Sequence, residues 1–205
     1  MTVNCITMKK KTQIGEEALK IILLGDSSVG KTSLINSWLN ETFEPETRPT
    51  IGTSNFFKTV ELSDESEVKI SLWDTAGQEQ YRTIAPLYIR GSKVAIIVTS
   101  SIDSQSFKSI SFWIELISAT QVNDTKLILA INKIDLMDSA IDDLTDLIEE
   151  YKPKFDQFFC VSAKTGENVD SLFIAAAFLA KEVQSLSNNN SIAEFNELKT
   201  NRSCC

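Results

Sequence analysis

The stretch GDSSVGKT at residues 25–32 sets two glycines, a lysine and a threonine in the spacing G-x-x-x-x-G-K-[ST]. Those residue types at those intervals can cradle a polyphosphate. Gly25 and Gly30 free the backbone, so that consecutive N–H groups through Ser27, Ser28 and Val29 can converge on phosphate oxygens. A helix that begins near Lys31 and runs on through Ser33 adds the positive end of its dipole. Lys31 would reach the β- and γ-phosphates, and the Thr32 hydroxyl would ligate Mg²⁺. At average residue frequencies the pattern arises by accident about once in a hundred chains of this length, so a merely structural glycine turn is a poor account of it. Alone, the motif leaves ATP and GTP both open.

Such a cradle needs a strand before it and a helix after it. LKIILLG (residues 19–25) is an unbroken apolar run, and KTSLINSWLN (residues 31–40) is compatible with a helix. Further apolar runs at residues 68–74, 94–100, 127–132 and 158–162 lack alternation, which predicts parallel strands covered on both faces. Between them, residues 106–119, 140–151 and 168–183 carry apolar side chains at helical spacing. Residues 56–62, the polar turn SDESE and the strand that follows read as a hairpin, and so as an antiparallel edge. The pattern predicts a doubly wound α/β fold with a mostly parallel six-stranded sheet and one antiparallel edge strand. Residues 1–18 are polar and aperiodic, a flexible extension before a single domain at 19–185. Residues 186–205 are rich in Asn and Ser and are expected to form a disordered tail.

In a sheet of this kind the loops at the C-terminal strand ends gather round one crevice. Three of them carry matching chemistry. Past one strand come Asp74, an acid able to hold Mg²⁺ through water, and Gly77, whose N–H can meet a γ-phosphate. Past another come Asn132, Lys133 and Asp135, and past the last Ser162, Ala163 and Lys164. GDSSVGKT, WDTAGQE, NKID and SAK, in that order and spacing, resemble the Ras superfamily of small GTPases over about residues 19–183.

That resemblance implies the P-loop NTPase fold of small G proteins and a GTP/GDP switch with Mg²⁺. It gives Asp135 the guanine N1–H and exocyclic amine to accept from, which adenine cannot reciprocate; Asn132 would support the loops, Lys133 cover the base, and the Ala163 backbone meet the guanine O6. Residues 40–53 resemble a first switch, in which Thr50 would join Mg²⁺ and the γ-phosphate and Phe43 would lie against the base, the lesser alternative for Phe43 being a hydrophobic staple of its own loop. Gln78 would position the attacking water, with Lys31 as its catalytic partner. No built-in arginine finger is recognisable, and Arg48 reads as a solvated loop residue. Turnover is therefore expected to be slow, since in Ras a partner's arginine is worth about 10⁵-fold. Two rival readings are a guanine-nucleotide scaffold with vestigial hydrolysis and a P-loop kinase or other ATP-dependent enzyme.

The chain has 205 residues, 42% of them hydrophobic, which suits one domain with a sizeable core. Lys and Arg total 20 against 28 Asp and Glu, and the net charge of −8 disfavours nucleic acid and offers anionic lipid no broad attraction. The four cysteines form no CxxC pair and there is no histidine, so a disulfide framework and a zinc site are poor readings. No signal-peptide core and no membrane-spanning apolar run are legible, which predicts a cytosolic or peripheral protein.

TIG at residues 50–52, WDTAGQEQYR, APLYIRG and the final Cys204 and Cys205 resemble the Rab branch, the third of these being closest to endosomal Rabs. Rab membership implies geranylgeranylation of Cys204 and Cys205 and attachment to the cytoplasmic face of intracellular membranes in exchange with cytosol, and the endosomal likeness implies endosomal ones. It implies a role in vesicle trafficking for a monomer served by an exchange factor, a GTPase-activating protein, a prenylation escort, a GDP-dissociation inhibitor and effectors. Two lipid chains would anchor the protein stably where one would not. Thr53-Ser54-Asn55, Gln80 and Thr99-Ser100 depart from the usual Rab residues, and Asp74 stands one position further from Thr50 than is usual. Those departures bear on which effectors are read.

Overall fold

The computed structural model describes residues 18–43, 49–120, 125–137 and 148–200, with side chains described through residue 187. The N-terminal extension, Arg48, most of the helix expected at 140–151, and Cys204 and Cys205 lie outside the described residues. Residues 148–151 are the helical end of that stretch.

Six strands form one sheet in the order β2-β3-β1-β4-β5-β6. They are β1 (Leu19–Leu24), β2 (Thr53–Glu61), β3 (Glu67–Thr75), β4 (Val94–Ser100), β5 (Lys126–Asn132) and β6 (Gln157–Cys160). Every pairing is parallel except β2 with β3, so the doubly wound fold and its antiparallel edge are as the sequence predicts. The expected edge strand lengthens upstream to Thr53, because Thr53, Ser54 and Asn55 continue the ladder opposite Thr75, Asp74 and Trp73.

The unalternating apolar runs have a direct cause. Ile21 and Leu23 enter one core layer while Ile22 and Leu24 enter the other, and Ile96 and Ile97, or Ile128 and Leu129, divide in the same way. A strand buried on both faces favours apolar residues at every position, and buried polar ones such as Thr99 and Ser100 come only at its end.

The first layer is covered by α1 (Lys31–Asn40) and by the C-terminal helix, labelled α5 below (Val169–Thr200). Leu34, Ile35 and Trp38 bury one face of α1, and the Trp38 ring stacks on Phe173 of α5 with centroids 4.5 Å apart. The second layer is covered by α2 (Ala85–Ile89), α3 (Ser104–Lys108) and α4 (Ile110–Thr120).

Two helices differ from expectation. The stretch predicted at 106–119 begins earlier, on the Asp103 cap, and is interrupted at Ser109, which ends α3. The helix α5 runs to Thr200, past the boundary expected at 185, and no glycine or proline follows Gly166 to stop it. At its middle, Lys181 Nζ pairs with Asp64 of the β2–β3 turn at 2.8 Å and holds that carboxyl well below the usual range.

Because Trp38 is buried and stacked between two helices, Trp38→Ala is expected to destabilise the domain by about 3–5 kcal/mol. The urea midpoint at an unchanged m-value reads this, and a loss below about 1 kcal/mol would show that the α1–α5 contact is peripheral.

Candidate functional site

The five parallel strands point their C-terminal ends to one edge, and a cavity of about 530 Å³ lies there. That is the size of an ordinary small-molecule site, about 300–1,000 Å³. It is lined by Ser27, Ser28, Gly30, Lys31, Thr32 and Ser33 from the β1–α1 turn and the first turn of α1. Phe43, Thr50, Gly77 and Gln78 line it from the switch-like segments, and Asn132, Lys133, Asp135, Ala163 and Lys164 from the loops after β5 and β6. Three expected residues stand behind this wall: Val29, Asp74 and Ser162 are buried.

The β1–α1 turn is shaped for an anion. Gly30 sits at φ 97°, where an added Cβ would fall 2.3 Å from the Asn132 amide nitrogen. The helix α1 starts immediately afterwards with no side-chain cap, so its first N–H groups lack intrahelical partners at the cavity wall. The Lys31 ammonium is buried and donates to the carbonyls of Gly25 (2.8 Å) and Asp26 (2.7 Å). Burial pushes its pKa down to about 8, against the opposing pull of Asp74 and Asp26.

Beside the lysine, three oxygens meet. Thr32 Oγ1 donates to Asp74 Oδ2 at 2.7 Å, Thr50 Oγ1 donates to the same oxygen at 3.2 Å, and the two hydroxyls are 2.9 Å apart. Burial pushes the Asp74 carboxyl up, and its Oδ1 has no hydrogen-bond partner among the described residues. Two hydroxyls and one carboxylate with an orphaned oxygen fit a hard divalent cation such as Mg²⁺, whose remaining ligands would be water and phosphate oxygens.

At the other end of the cavity Asn132 is buried and spends both halves of its amide on neighbouring loops. Its Nδ2 donates to the Val29 carbonyl at 2.9 Å, and its Oδ1 accepts from the Ala163 N–H at 3.0 Å. The Ala163 N–H, expected to meet a base oxygen, is therefore already donated and would have to be shared in a three-centre bond. Asp135 Oδ1 accepts from Ser162 Oγ at 2.6 Å. Its Oδ2 is buried with no hydrogen-bond partner among the described residues, and the Lys164 ammonium stands 3.6 Å from it, beyond hydrogen-bond length.

Gly77 packs directly on the β1–α1 turn: a Cβ there would lie 2.3 Å from the Asp26 carbonyl oxygen. Gln78 Oε1 accepts from Gln80 Nε2 at 2.8 Å, so one departure from the usual residues touches the side chain expected to orient water. Sequence reasoning missed Pro49, Thr75 and Leu136 on the cavity wall. It also missed Arg82, whose guanidinium pairs with Asp26 at 2.7 Å. Spacing gives no hint of that contact, because the partners meet only after the sheet has formed.

The model of the Ras family matches residues 20–182, close to the extent over which the four motifs are arrayed.

Asn132→Ala would strand the Val29 carbonyl and the Ala163 N–H without partners. An expected loss of roughly 2–4 kcal/mol follows from two buried polar groups left unpaired, measurable by urea unfolding at matched nucleotide concentration. Wild-type stability would show that water replaces the amide.

Proposed function

The chain belongs to the Ras family, and from that premise we propose that it is a slow GTP hydrolase of the Rab type that acts on intracellular membranes. A small GTPase binds nucleotide as a switch; the finer reading concerns which base, what chemistry and where. The observation that carries the guanine reading is Asp135 Oδ2, a buried acceptor at the cavity wall that has no hydrogen-bond partner among the described residues. A base that brings two adjacent N–H donors satisfies it, whereas adenine leaves it stranded, and unpaired buried groups discriminate strongly.

In this reading the phosphates lie along the β1–α1 turn, where the Lys31 ammonium exchanges its two backbone carbonyls for β- and γ-phosphate oxygens. Thr32 and Thr50, with Asp74 behind them, would hold Mg²⁺, which when bound would neutralise charge on the phosphates. Gln78 turns from Gln80 so that its Oε1 accepts a hydrogen bond from the attacking water and aligns it, and the water's proton passes to the released phosphate. The water oxygen bonds to the γ-phosphorus as the bond to the β–γ bridging oxygen breaks, and GDP and phosphate leave. Thr50 and Gly77 meet the γ-phosphate, so both switch segments would be ordered with GTP and released with GDP. The scaffold alternative draws on one observation: Gln78 Oε1 is already engaged by Gln80.

The Rab assignment rests on TIG, WDTAGQEQYR, APLYIRG and the terminal Cys204-Cys205. It carries with it geranylgeranyl anchoring, vesicle trafficking at an endosomal or related cytoplasmic membrane face, and the partners of that cycle: exchange factor, activating protein, escort, dissociation inhibitor and effectors. With Lys199 and Arg202 as the cations nearest the end, lipid rather than charge does the holding.

Competition of labelled GTP, GDP and ATP in Mg²⁺, followed by phosphate release, tests the enzymatic reading. Guanine-only binding is expected, with slow release that Gln78→Leu lowers by at least about tenfold. ATP binding would remove the guanine assignment, and release indifferent to Gln78 would leave the scaffold. For the anchor, labelled geranylgeranyl is expected to enter the full chain and to be lost in Cys204→Ser/Cys205→Ser; equal labelling of both would reject it.

A further inference from the structure

Asp26 lies within the β1–α1 turn, yet its carboxylate is absorbed elsewhere. Oδ1 accepts from Arg82 Nη2 at 2.7 Å, and Oδ2 accepts a short hydrogen bond from Ser109 Oγ, at the break between α3 and α4. The pair is largely withdrawn from solvent, with 17% of the Asp26 side chain and 27% of the Arg82 side chain exposed, so it is screened less than a surface ion pair. On its other side the guanidinium lies 4.8 Å from the Phe112 ring centroid and 5.6 Å from that of Trp113. Both contacts restrict where Arg82 can go.

The same residue, Asp26, also meets the start of this segment, since its carbonyl oxygen occupies the space a Cβ on Gly77 would need. Asp26 therefore holds residues 77–82 at both ends: the backbone contact fixes Gly77 and the ion pair fixes Arg82. Gln78 lies between them.

We propose that Arg82 is a positioning residue for GTP hydrolysis: its ion pair with Asp26, seated on Ser109 and Phe112, fixes the backbone that presents Gln78 to the attacking water. The inference rests on the hydrolytic reading above. It assigns Arg82 no contact with the nucleotide. Its effect falls on the chemical step, because a small misplacement of an orienting group costs rate steeply while leaving ground-state binding intact. It also predicts a graded series. Lysine at 82 keeps the charge opposite Asp26 but loses the planar fork and the ring stacking, and Ser109→Ala loosens Asp26 without touching the segment itself.

The test is single-turnover phosphate release, together with equilibrium affinity for a non-hydrolysable GTP analogue, on the full chain in Mg²⁺. Arg82→Met is expected to slow release about tenfold while affinity changes less than about threefold. Arg82→Lys should recover part of the rate, Ser109→Ala should lose a smaller part, and hydrogen exchange across residues 78–82 should rise in the same order. A parallel loss of affinity and rate would overturn the proposal in favour of simple charge neutralisation in the phosphate turn. Unchanged or faster release by Arg82→Met would overturn it as well. Absence of release from the wild type would overturn the hydrolytic reading and this one with it, whereas release that only the Arg82 variants leave untouched removes the positioning role alone.

Discussion

One primary amide holds three loops at fixed separation. Asn132 ends β5, donates to the Val29 carbonyl in the turn after β1 and accepts from the Ala163 N–H in the loop after β6. The position demands a donor and an acceptor on one short planar group, which aspartate cannot supply and glutamine would overshoot. The amide nitrogen also fills the space beside Gly30, so its seat and the left-handed turn that opens α1 require each other. The phosphate end and the base end of the cavity keep their spacing because this bond pair is buried, where leaving either group unmet would be costly.

An acidic chain binding a polyanion looks contradictory until charge is considered locally. Net charge acts over the whole surface and is screened within about a Debye length, whereas the cavity offers backbone N–H groups at a helix start and one buried ammonium. Burial pushes Lys31 down and Asp74 up, so each charged form is held in an environment that disfavours it. Each already feels the other's opposite charge, and a phosphate group with a divalent cation would add to that compensation.

What the sequence made legible was whatever short range or strict periodicity encodes. Gly25, Gly30, Lys31 and Thr32 act through neighbours in one turn, and the strands declare themselves through two-sided burial. Long-range side-chain bonds left no trace: Ser109 interrupts a helical pattern at the residue that reaches Asp26, and Arg82 finds that carboxylate across the fold. Ala163 lines the cavity, but the engagement of its N–H by Asn132 has no signature in the sequence, since spacing locates a group without showing what else it touches. At α5 the helix continues into the Asn- and Ser-rich stretch, where no glycine or proline interrupts it.

The sheet order also has a consequence for biosynthesis. The strand β1 sits between β3 and β4 and pairs with both, so the earliest strand of this sheet must wait for strands that are made well after it. At about 5–20 residues per second, the chain from Leu24 to Val94 takes roughly 4–14 s to emerge. Ile21, Ile22, Leu23 and Leu24, all fully buried in the finished domain, gain β3 as a neighbour only when Thr75 has emerged, about 3–10 s after Leu24, and β4 only from the end of the longer interval. The same four residues that make the centre of the sheet secure are therefore the ones left longest with apolar surface uncovered on one edge while the domain is being made.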